Sequence, residues 1–289
     1  MQSPGFERFK YFPRRCGFVG LVAEIVRCSI LHNGPHELKQ PRMSSARIID
    51  VTRFMTEPST CSYLRNETAC LEYRVPWELN SESYGELLRR GWRRFGNYVF
   101  RPQCRACSKC RPLRVDVNRF RPSKSQRRTL KRNQHVDISF GPPGVSDERI
   151  ELFNRYHSDM TERRGWSEHQ TSSPEYADGF LGSSFEFAGE FLYRDAGRLV
   201  GVSLVDISNC GLSSMYFYHD PDWRPLGPGT FSVLTEIEAA RRQGLAHLYL
   251  GYWIHENQSM EYKARFRPHE LMQSWVDDDT EPVWSEPED

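Results

Sequence analysis

The chain has 289 residues, of which 38% are hydrophobic and 13% aromatic, so its composition excludes a largely disordered protein. The 39 Lys and Arg nearly balance the 38 Asp and Glu, and the total charge therefore predicts no partner. The distribution of charge is informative: residues 101–132 hold twelve bases and one acid, whereas residues 277–289 hold seven acids and no base. We expect an anionic partner for the middle of the chain and a solvated acidic tail at its end.

No segment approaches the roughly 20 apolar residues that a membrane-spanning helix needs. The most apolar early segment, 16–31, is interrupted by Glu24 and Arg27 and lacks the small-residue cleavage site of a signal peptide. Without a secretory signal, eight cysteines in a chain of this size are more typical of free thiols or metal ligands than of disulfides. We expect a cytoplasmic monomer with no membrane partner.

The first half of the chain divides into a leader and a mixed segment. Residues 1–42 have no sustained periodicity, and we expect a leader with Met43 opening the functional chain; a regulatory arm is the alternative. Residues 82–91 have helical spacing and end at Gly91, and residues 92–101 predict two strands around a turn at Gly96-Asn97. An exposed strand over 113–117 and a basic helix over 125–133 are expected next.

Gly141-Pro142-Pro143-Gly144 is the strongest break, and we place a domain boundary there. The pattern after it predicts a helix over 147–161, followed by three strands over 185–194, 199–207 and 212–218. A second long helix over 230–243 and a further strand over 247–253 are expected next. This order is an α+β plan. The expected division is an N-terminal domain over 43–143, a second domain over 144–275 and an acidic tail over 276–289.

Cys104, Cys107 and Cys110 are spaced as in C-x2-C-x2-C, which lets thiolates turn back onto one metal ion. A fourth ligand would come from Cys61 or Cys70. Sulfur ligands suit zinc or an iron–sulfur cluster, and the spacing does not choose between them. The alternative is three free cysteines in a turn.

The segment 119–132 carries seven bases and no acid beside an aromatic residue, Phe120. Such a run is either a solvated helix face or a surface that neutralises phosphates, and we favour nucleic acid because unpartnered positive charges repel one another. The candidate RNA-binding residues on the predicted helix are Lys124, Arg127, Arg128, Lys131 and Arg132.

Asp220-Pro221-Asp222 follows a strand and is typical of a structural turn, although its carboxylates and the adjacent His219 are also candidate proton acceptors. The chain contains no GxxxxGK[ST], GxGxxG, GxSxG or HExxH motif. The sequence therefore predicts no nucleotide cofactor, and an enzyme of this kind would use a substrate that is already activated.

Several of these motifs, in their order along the chain, resemble the aminoacyl-tRNA–protein transferases. The N-terminal matches are Cys61-Ser62-Tyr63-Leu64, Tyr98 to Pro102, the Cys104–Cys110 motif and Phe120 to Asn133. The C-terminal matches are Tyr216 to Asp222, Leu226-Gly227, Leu250 to Ile254 and Met260 to Pro268. The resemblance covers roughly residues 61–271. Leu64 stands where the eukaryotic branch has a second cysteine, and residues 1–42 and the acidic tail have no counterpart.

The resemblance implies a C-terminal half similar to the N-acetyltransferase fold and a smaller Cys-containing N-terminal domain. It implies transfer of an aminoacyl group from charged tRNA to proteins with N-terminal Asp or Glu, tagging them for degradation through the N-degron pathway. The bacterial aspartate/glutamate leucyltransferases donate leucine and the related eukaryotic enzymes arginine. The Cys61-x-Tyr-Leu motif favours leucine.

The resemblance also implies roles for the matched residues. The catalytic candidates are Asp220, Asp222 and Tyr252, and the substrate-binding candidates are Lys263, Arg265, Tyr218 and Tyr262. Two alternatives stay open: an acyl-coenzyme A-dependent N-acyltransferase, for which Arg224 to Gly229 has R-x-x-G-x-G lettering, and a non-catalytic RNA-binding module with structural zinc.

Overall fold

The computed structural model describes residues 48–181 and 185–287, and the predicted leader over 1–42 lies outside them. The strands are, in chain order, β1 (Asp50–Met55), β2 (Ser59–Thr60), β3 (Thr68–Ala69), β4 (Leu71–Pro76), β5 (Arg93–Phe95), β6 (Tyr98–Pro102), β7 (Arg111–Asp116), β8 (Asp137–Gly141), β9 (Ala188–Asp195), β10 (Arg198–Ser208), β11 (Gly211–His219), β12 (His247–Trp253), β13 (His269–Met272) and β14 (Trp284–Ser285). The α-helices are α1 (Ser81–Arg89), α2 (Lys124–Arg132), α3 (Asp147–Arg164), α4 (Ser173–Tyr176) and α5 (Pro228–Arg242).

Two sheets organise these elements. The smaller has the order β1-β4-β6-β5, and the larger has the order β14-β13-β7-β12-β11-β10-β9-β8. Strands β2 and β3 form a separate pair. Neighbouring strands of the larger sheet are antiparallel, except that β11 and β12 run parallel and pair at Leu212–Leu248 and Ser213–Tyr249. The two parallel strands then diverge.

The strand predicted over 113–117 is confirmed as β7, but the expectation that it is exposed is wrong. β7 lies between β12 and β13, and Leu113 and Val115 are fully buried. Arg114 on the intervening face donates to the carboxylate of Glu270 on β13 at 2.6 Å, so its charge has a partner within the sheet. The larger sheet therefore takes strands from both sides of residue 143.

The predicted helices are confirmed, and local sequence explains their ends. Asn80 caps α1 and Ser123 caps α2, each within a capping box in which the third helical side chain bonds back to the cap. α3 begins after Ser146 and ends at Gly165, whose φ of 66° is left-handed and suits glycine.

Helices cover both faces of the larger sheet. Phe231, Leu234 and Ile237 of α5 pack in a core with β7, β11 and β12, and α2 lies against α5. On the opposite face, Phe153 and Tyr156 of α3 pack against β10 and β11. Burial of these apolar side chains is the main stabilising term. Among the described residues, no helix is long and apolar enough to cross a membrane.

Candidate functional site

The five cations predicted on the basic helix are all exposed on α2 and form what we call the basic face: Lys124, Arg127, Arg128, Lys131 and Arg132. In the described part of the chain, none of the five makes an ion pair with a carboxylate. α5 provides the contrast, because its Arg241 and Arg242 donate to Glu238 at 3.0 and 2.9 Å. The positive charge of the basic face is therefore available to an anionic partner.

Buried amides hold α2 in place. Asn133, fully buried at the end of α2, donates to the carbonyl of Leu226 at 2.8 Å and accepts from Trp223 Nε1 at 2.8 Å. Gln126 donates to the carbonyl of Arg265 at 3.3 Å, which places the exposed Arg265 beside the basic face. The sequence motifs assign no role to Asn133 or Gln126, because their partners lie 93 and 139 residues away.

Asp220 and Asp222 come together around one arginine. Asp220 is 1% exposed and its Oδ1 accepts from the backbone N–H of Asp222 at 2.8 Å, capping a short 3-10 helix. Its Oδ2 accepts from Arg155 at 2.9 Å and also from Arg198. Asp222 is exposed and accepts from Arg155 at 2.6 Å. The carboxylate of Asp220 is therefore engaged, and that of Asp222 reaches solvent.

A second group lies at the end of β12. The Nζ of Lys263 donates to the backbone carbonyl of Tyr252. The Tyr252 hydroxyl lies 3.0 Å from the carbonyls of both Gly91 and Phe100, so it links β12 to the end of α1 and to β6. Burial raises the pKa of Tyr252 well above its usual value. The phenol is therefore a neutral hydrogen-bond donor at physiological pH.

Tyr218 and Tyr262 lie in separate cores. The Tyr218 hydroxyl lies 2.7 Å from that of Tyr176, in the core beneath α3. Tyr262 belongs to the core that packs against α5. The predicted site residues thus occupy several places in the fold: the Arg155 contact, the end of β12, the two cores and the basic face.

The predicted metal ligands Cys61, Cys104, Cys107 and Cys110 lie near one another, with Cys70 among them. The backbone N–H of Cys70 is 3.5 Å from Cys104 Sγ. Burial, reinforced by the neighbouring thiols, raises the pKa of Cys104 and raises that of Cys110 to about 12.

These thiols do not fit a preformed metal site. Across 48–181 and 185–287, no three Cys, His, Asp or Glu side chains are placed to hold a metal ion. Zinc or an iron–sulfur cluster at these cysteines therefore stays a prediction.

Arg93, which belongs to none of the sequence motifs, lies between β11 and β12 where the two strands separate. From β5, Arg93 donates to Ser213 Oγ at 2.9 Å, to the carbonyl of Tyr249 at 3.4 Å and to the carbonyl of Ser214. Gly251 has a φ of +76°, and a Cβ there would lie 3.3 Å from the guanidinium of Arg93. The smaller sheet thus supplies a buried cation to the point where the parallel strands separate.

Solved structures with weak likeness to this chain include an acetyltransferase. L-PGS from Bacillus licheniformis matches with a TM-score of 0.40 at 12% identity, covering 58% of this chain and 49% of that one. The ribosomal-protein-S18-alanine N-acetyltransferase from Escherichia coli matches with a TM-score of 0.29 at 15% identity, covering 38% and 64%.

Sequence comparisons are more specific. The family model for the C terminus of arginine-tRNA-protein transferase matches residues 148–273, and that for its N terminus matches 59–128. The aspartate/glutamate leucyltransferase of Helicobacter hepaticus is 36% identical over 234 residues, covering 81% of this chain and 97% of the relative. That of Pseudomonas putida (strain W619) is 35% identical over 226 residues, covering 77% and 95%. The chain belongs to the arginine-tRNA-protein transferase family.

Proposed function

We propose that this protein transfers leucine from charged tRNA to the N-terminal Asp or Glu of acceptor proteins. The observation that carries the proposal is that relatives of this chain, matched over 92–97% of their own lengths, are named aspartate/glutamate leucyltransferases. Their name favours leucine over arginine as the donated residue. Recognition of charged tRNA also accounts for a helix whose five cations lack carboxylate partners in the described residues.

The reaction needs no nucleotide cofactor. The acceptor α-amine attacks the carbonyl carbon of the aminoacyl ester, a C–N bond forms, and the C–O bond to the tRNA ribose breaks. The amine loses one proton and the ribose oxygen gains one. Because an α-amine has a pKa near 7.7–8.0, on the order of a tenth is already neutral at pH 7, and only modest general-base help is required. Alignment and stabilisation of the oxyanion are the larger tasks.

The matched residues then take separate roles. The basic face binds phosphates of the tRNA, and Lys263 with Arg265 binds the acidic side chain of the acceptor. Asp222 holds or deprotonates the acceptor amine, with Asp220 fixing Arg155 beside it. This assignment is supported by the solvent access of Asp222 and by the full engagement of Asp220.

The remaining residues act as supports in this proposal. Tyr252 fixes the end of β12 next to Lys263, and Tyr218 and Tyr262 support the site from the two cores in which they are buried. The wider biological proposal is a cytoplasmic monomer that tags its acceptors for the N-degron pathway. In this proposal residues 144–275 supply most of the N-acetyltransferase-like part, and the Cys-containing part over 43–143 contributes β7 and β8 to its sheet.

A transfer assay tests the reaction. Purified protein is incubated with labelled leucyl-tRNA or arginyl-tRNA and with peptides that begin with Asp, Glu, Asn or Ala. We expect label from leucyl-tRNA on the Asp and Glu peptides and none on the Asn and Ala peptides. Transfer from arginyl-tRNA alone would contradict the donor assignment, and no transfer from either would contradict the function.

A further inference from the structure

A basic depression with a volume of about 420 Å³ lies outside the groups described above. Its lining residues are Arg119, Arg121, Arg267, Pro268, His269, Glu286 and Pro287. The three arginines come from the segment before α2 and the segment before β13, whereas Glu286 and Pro287 belong to the acidic tail. Three segments that are distant in sequence therefore build one concave surface.

The depression continues the basic face. Arg121 lies two residues before Ser123, the cap of α2. Arg267 lies two residues after Arg265, whose carbonyl accepts from Gln126 of α2. A polyanion that follows the basic face past the start of α2 would therefore reach these arginines.

The acidic tail is held where it meets this depression. The indole Nε1 of Trp284 donates to the carbonyl of Arg89 at 3.0 Å, and its ring lies 4.4 Å from the guanidinium of Arg114. Two residues further on, Glu286 forms an ion pair with Arg119. The side chains of Arg119 and Glu286 are 61% and 50% exposed, so this pair faces solvent and can open at small cost.

One wall of the depression contains an unsatisfied polar atom. His269 is 2% exposed, and its Nδ1 has no hydrogen-bond partner among the residues that the structure describes. That atom has no surface open to the depression, so the case for an anion site rests on the three arginines and on the anion that already pairs with one of them.

We infer that the depression lined by Arg119, Arg121 and Arg267 binds a phosphate of the tRNA, and that Glu286 competes with that phosphate in the free protein. Guanidinium groups match phosphate oxygens in charge and in hydrogen-bonding geometry. The Glu286 carboxylate already occupies Arg119 as an anion would. The inference rests on the proposed function, since it names a second contact for the same tRNA.

Binding of uncharged tRNA at several salt concentrations tests the inference with a matched pair of variants. Glu286→Gln removes the competing charge, and we expect it to tighten tRNA binding about two- to five-fold, as suits an exposed ion pair. Glu281→Gln removes one charge from the same tail, but Glu281 pairs with Arg89 and Arg90 at the end of α1, so binding should stay unchanged.

Substitution of the arginines is the second part of the test. Arg119→Gln combined with Arg121→Gln should weaken tRNA binding and lower the slope of log K against log salt by about 0.7 to 0.9, as expected for the loss of one phosphate contact. In that background, Glu286→Gln should have no further effect. An unchanged slope, or equal effects of Glu286→Gln and Glu281→Gln, would overturn the inference.

A variant of the basic face separates this inference from the proposed function. If Lys124→Ala with Arg127→Ala and Arg128→Ala weakens binding while the Arg119/Arg121 variant does not, the phosphate site is wrong and the tRNA role stands. If neither variant weakens binding and leucyl transfer is absent, the proposed function fails as well. Circular dichroism checks that each variant is folded.

Discussion

The guanidinium of Arg94 on β5 makes two hydrogen bonds to the carboxylate of Asp206 on β10. Nε lies 3.0 Å from Oδ2 and Nη2 lies 2.6 Å from Oδ1, and both side chains are buried. The ring of Phe185 covers the guanidinium at 4.9 Å. Burial alone would lower the pKa of Arg94, but Asp206 outweighs it and the pKa is raised. This pair fastens the smaller sheet to the larger one.

Removing the charge of Asp206 should destabilise the protein strongly. Asp206→Asn leaves the guanidinium of Arg94 buried without a counter-charge, and we expect the free energy of unfolding in urea to fall by about 3–5 kcal/mol. Glu238→Gln, which breaks two exposed ion pairs on α5, is the control and should cost less than about 1 kcal/mol. A loss below about 1 kcal/mol for Asp206→Asn would show that the pair does not fasten the sheets.

The basic face should make tRNA binding depend on the salt concentration. Replacing Lys124, Arg127 and Arg128 with Ala should weaken tRNA binding and reduce the salt slope by about two to three, because each cation that neutralises a phosphate releases roughly 0.7 to 0.9 counterions. Filter binding between about 50 and 200 mM salt measures the slope. The matched control is Arg241→Ala with Arg242→Ala, whose side chains already bond to Glu238. Equal slopes for wild type and the triple variant would make the basic face a merely solvated surface.

The buried His157 should make the stability of the protein depend on pH. Burial, and to a smaller degree His169, lowers the pKa of His157 to about 4, whereas an unfolded histidine titrates near 6.5. The unfolded chain therefore binds a proton that the folded chain excludes, and stability falls as the pH drops from about 6.5 towards 4. For this one group the loss is about 2 kcal/mol between pH 7 and pH 5.

Urea unfolding of His157→Phe at both pH values measures this effect. The ring of Phe keeps the stacking of His157 on Phe153, whose centroids are 4.1 Å apart, and removes the titrating group. We expect a weaker pH dependence in the variant. An undiminished difference between the two pH values would mean that His157 does not titrate at an abnormal pKa. His219, whose pKa burial also lowers to about 4, should contribute a further increment of the same sign.

Lys263 and Arg265 should both contribute to binding of the acidic acceptor residue. Lys263→Met and Arg265→Ala should each lower kcat/KM for Asp and Glu peptides at least ten-fold, because a hydrogen-bonded charge for the acceptor carboxylate is worth about 1.5–3 kcal/mol. Binding of tRNA, measured in parallel, should change much less for Lys263→Met. Lys109→Met removes a lysine that pairs with Glu67 and Glu256 and is the control. Intact acceptor affinity in both variants would refute the pocket.

Local sequence suffices for most elements of the fold. The start of α2 is readable because Ser123 and Gln126 form a capping box, and the end of α1 because Gly91 follows it. The alternating pattern of β7 is readable as a strand, but not as a central one. Its charged Arg114 is matched by Glu270, 156 residues away, and no local pattern carries that information.

The candidate site is less predictable for the same reason. The exposure of the basic face follows from its charge, whereas the engagement of Asp220 depends on Arg155 and Arg198 from two other elements. Arg93 belongs to no motif, and only the approach of the smaller sheet places it where β11 and β12 diverge. Chemistry that arises from tertiary contacts leaves no signature in spacing along the chain.

The position of β7 also determines when the larger sheet can fold during synthesis of the chain. Its neighbours β12 and β13 are synthesised more than 120 residues later, so the middle of the larger sheet cannot close while the chain is still emerging from the ribosome at residue 200. A fragment starting at residue 144 would expose the edges of β12 and β13 that β7 normally pairs. Co-expression of residues 1–143 in trans should therefore rescue such a fragment from aggregation.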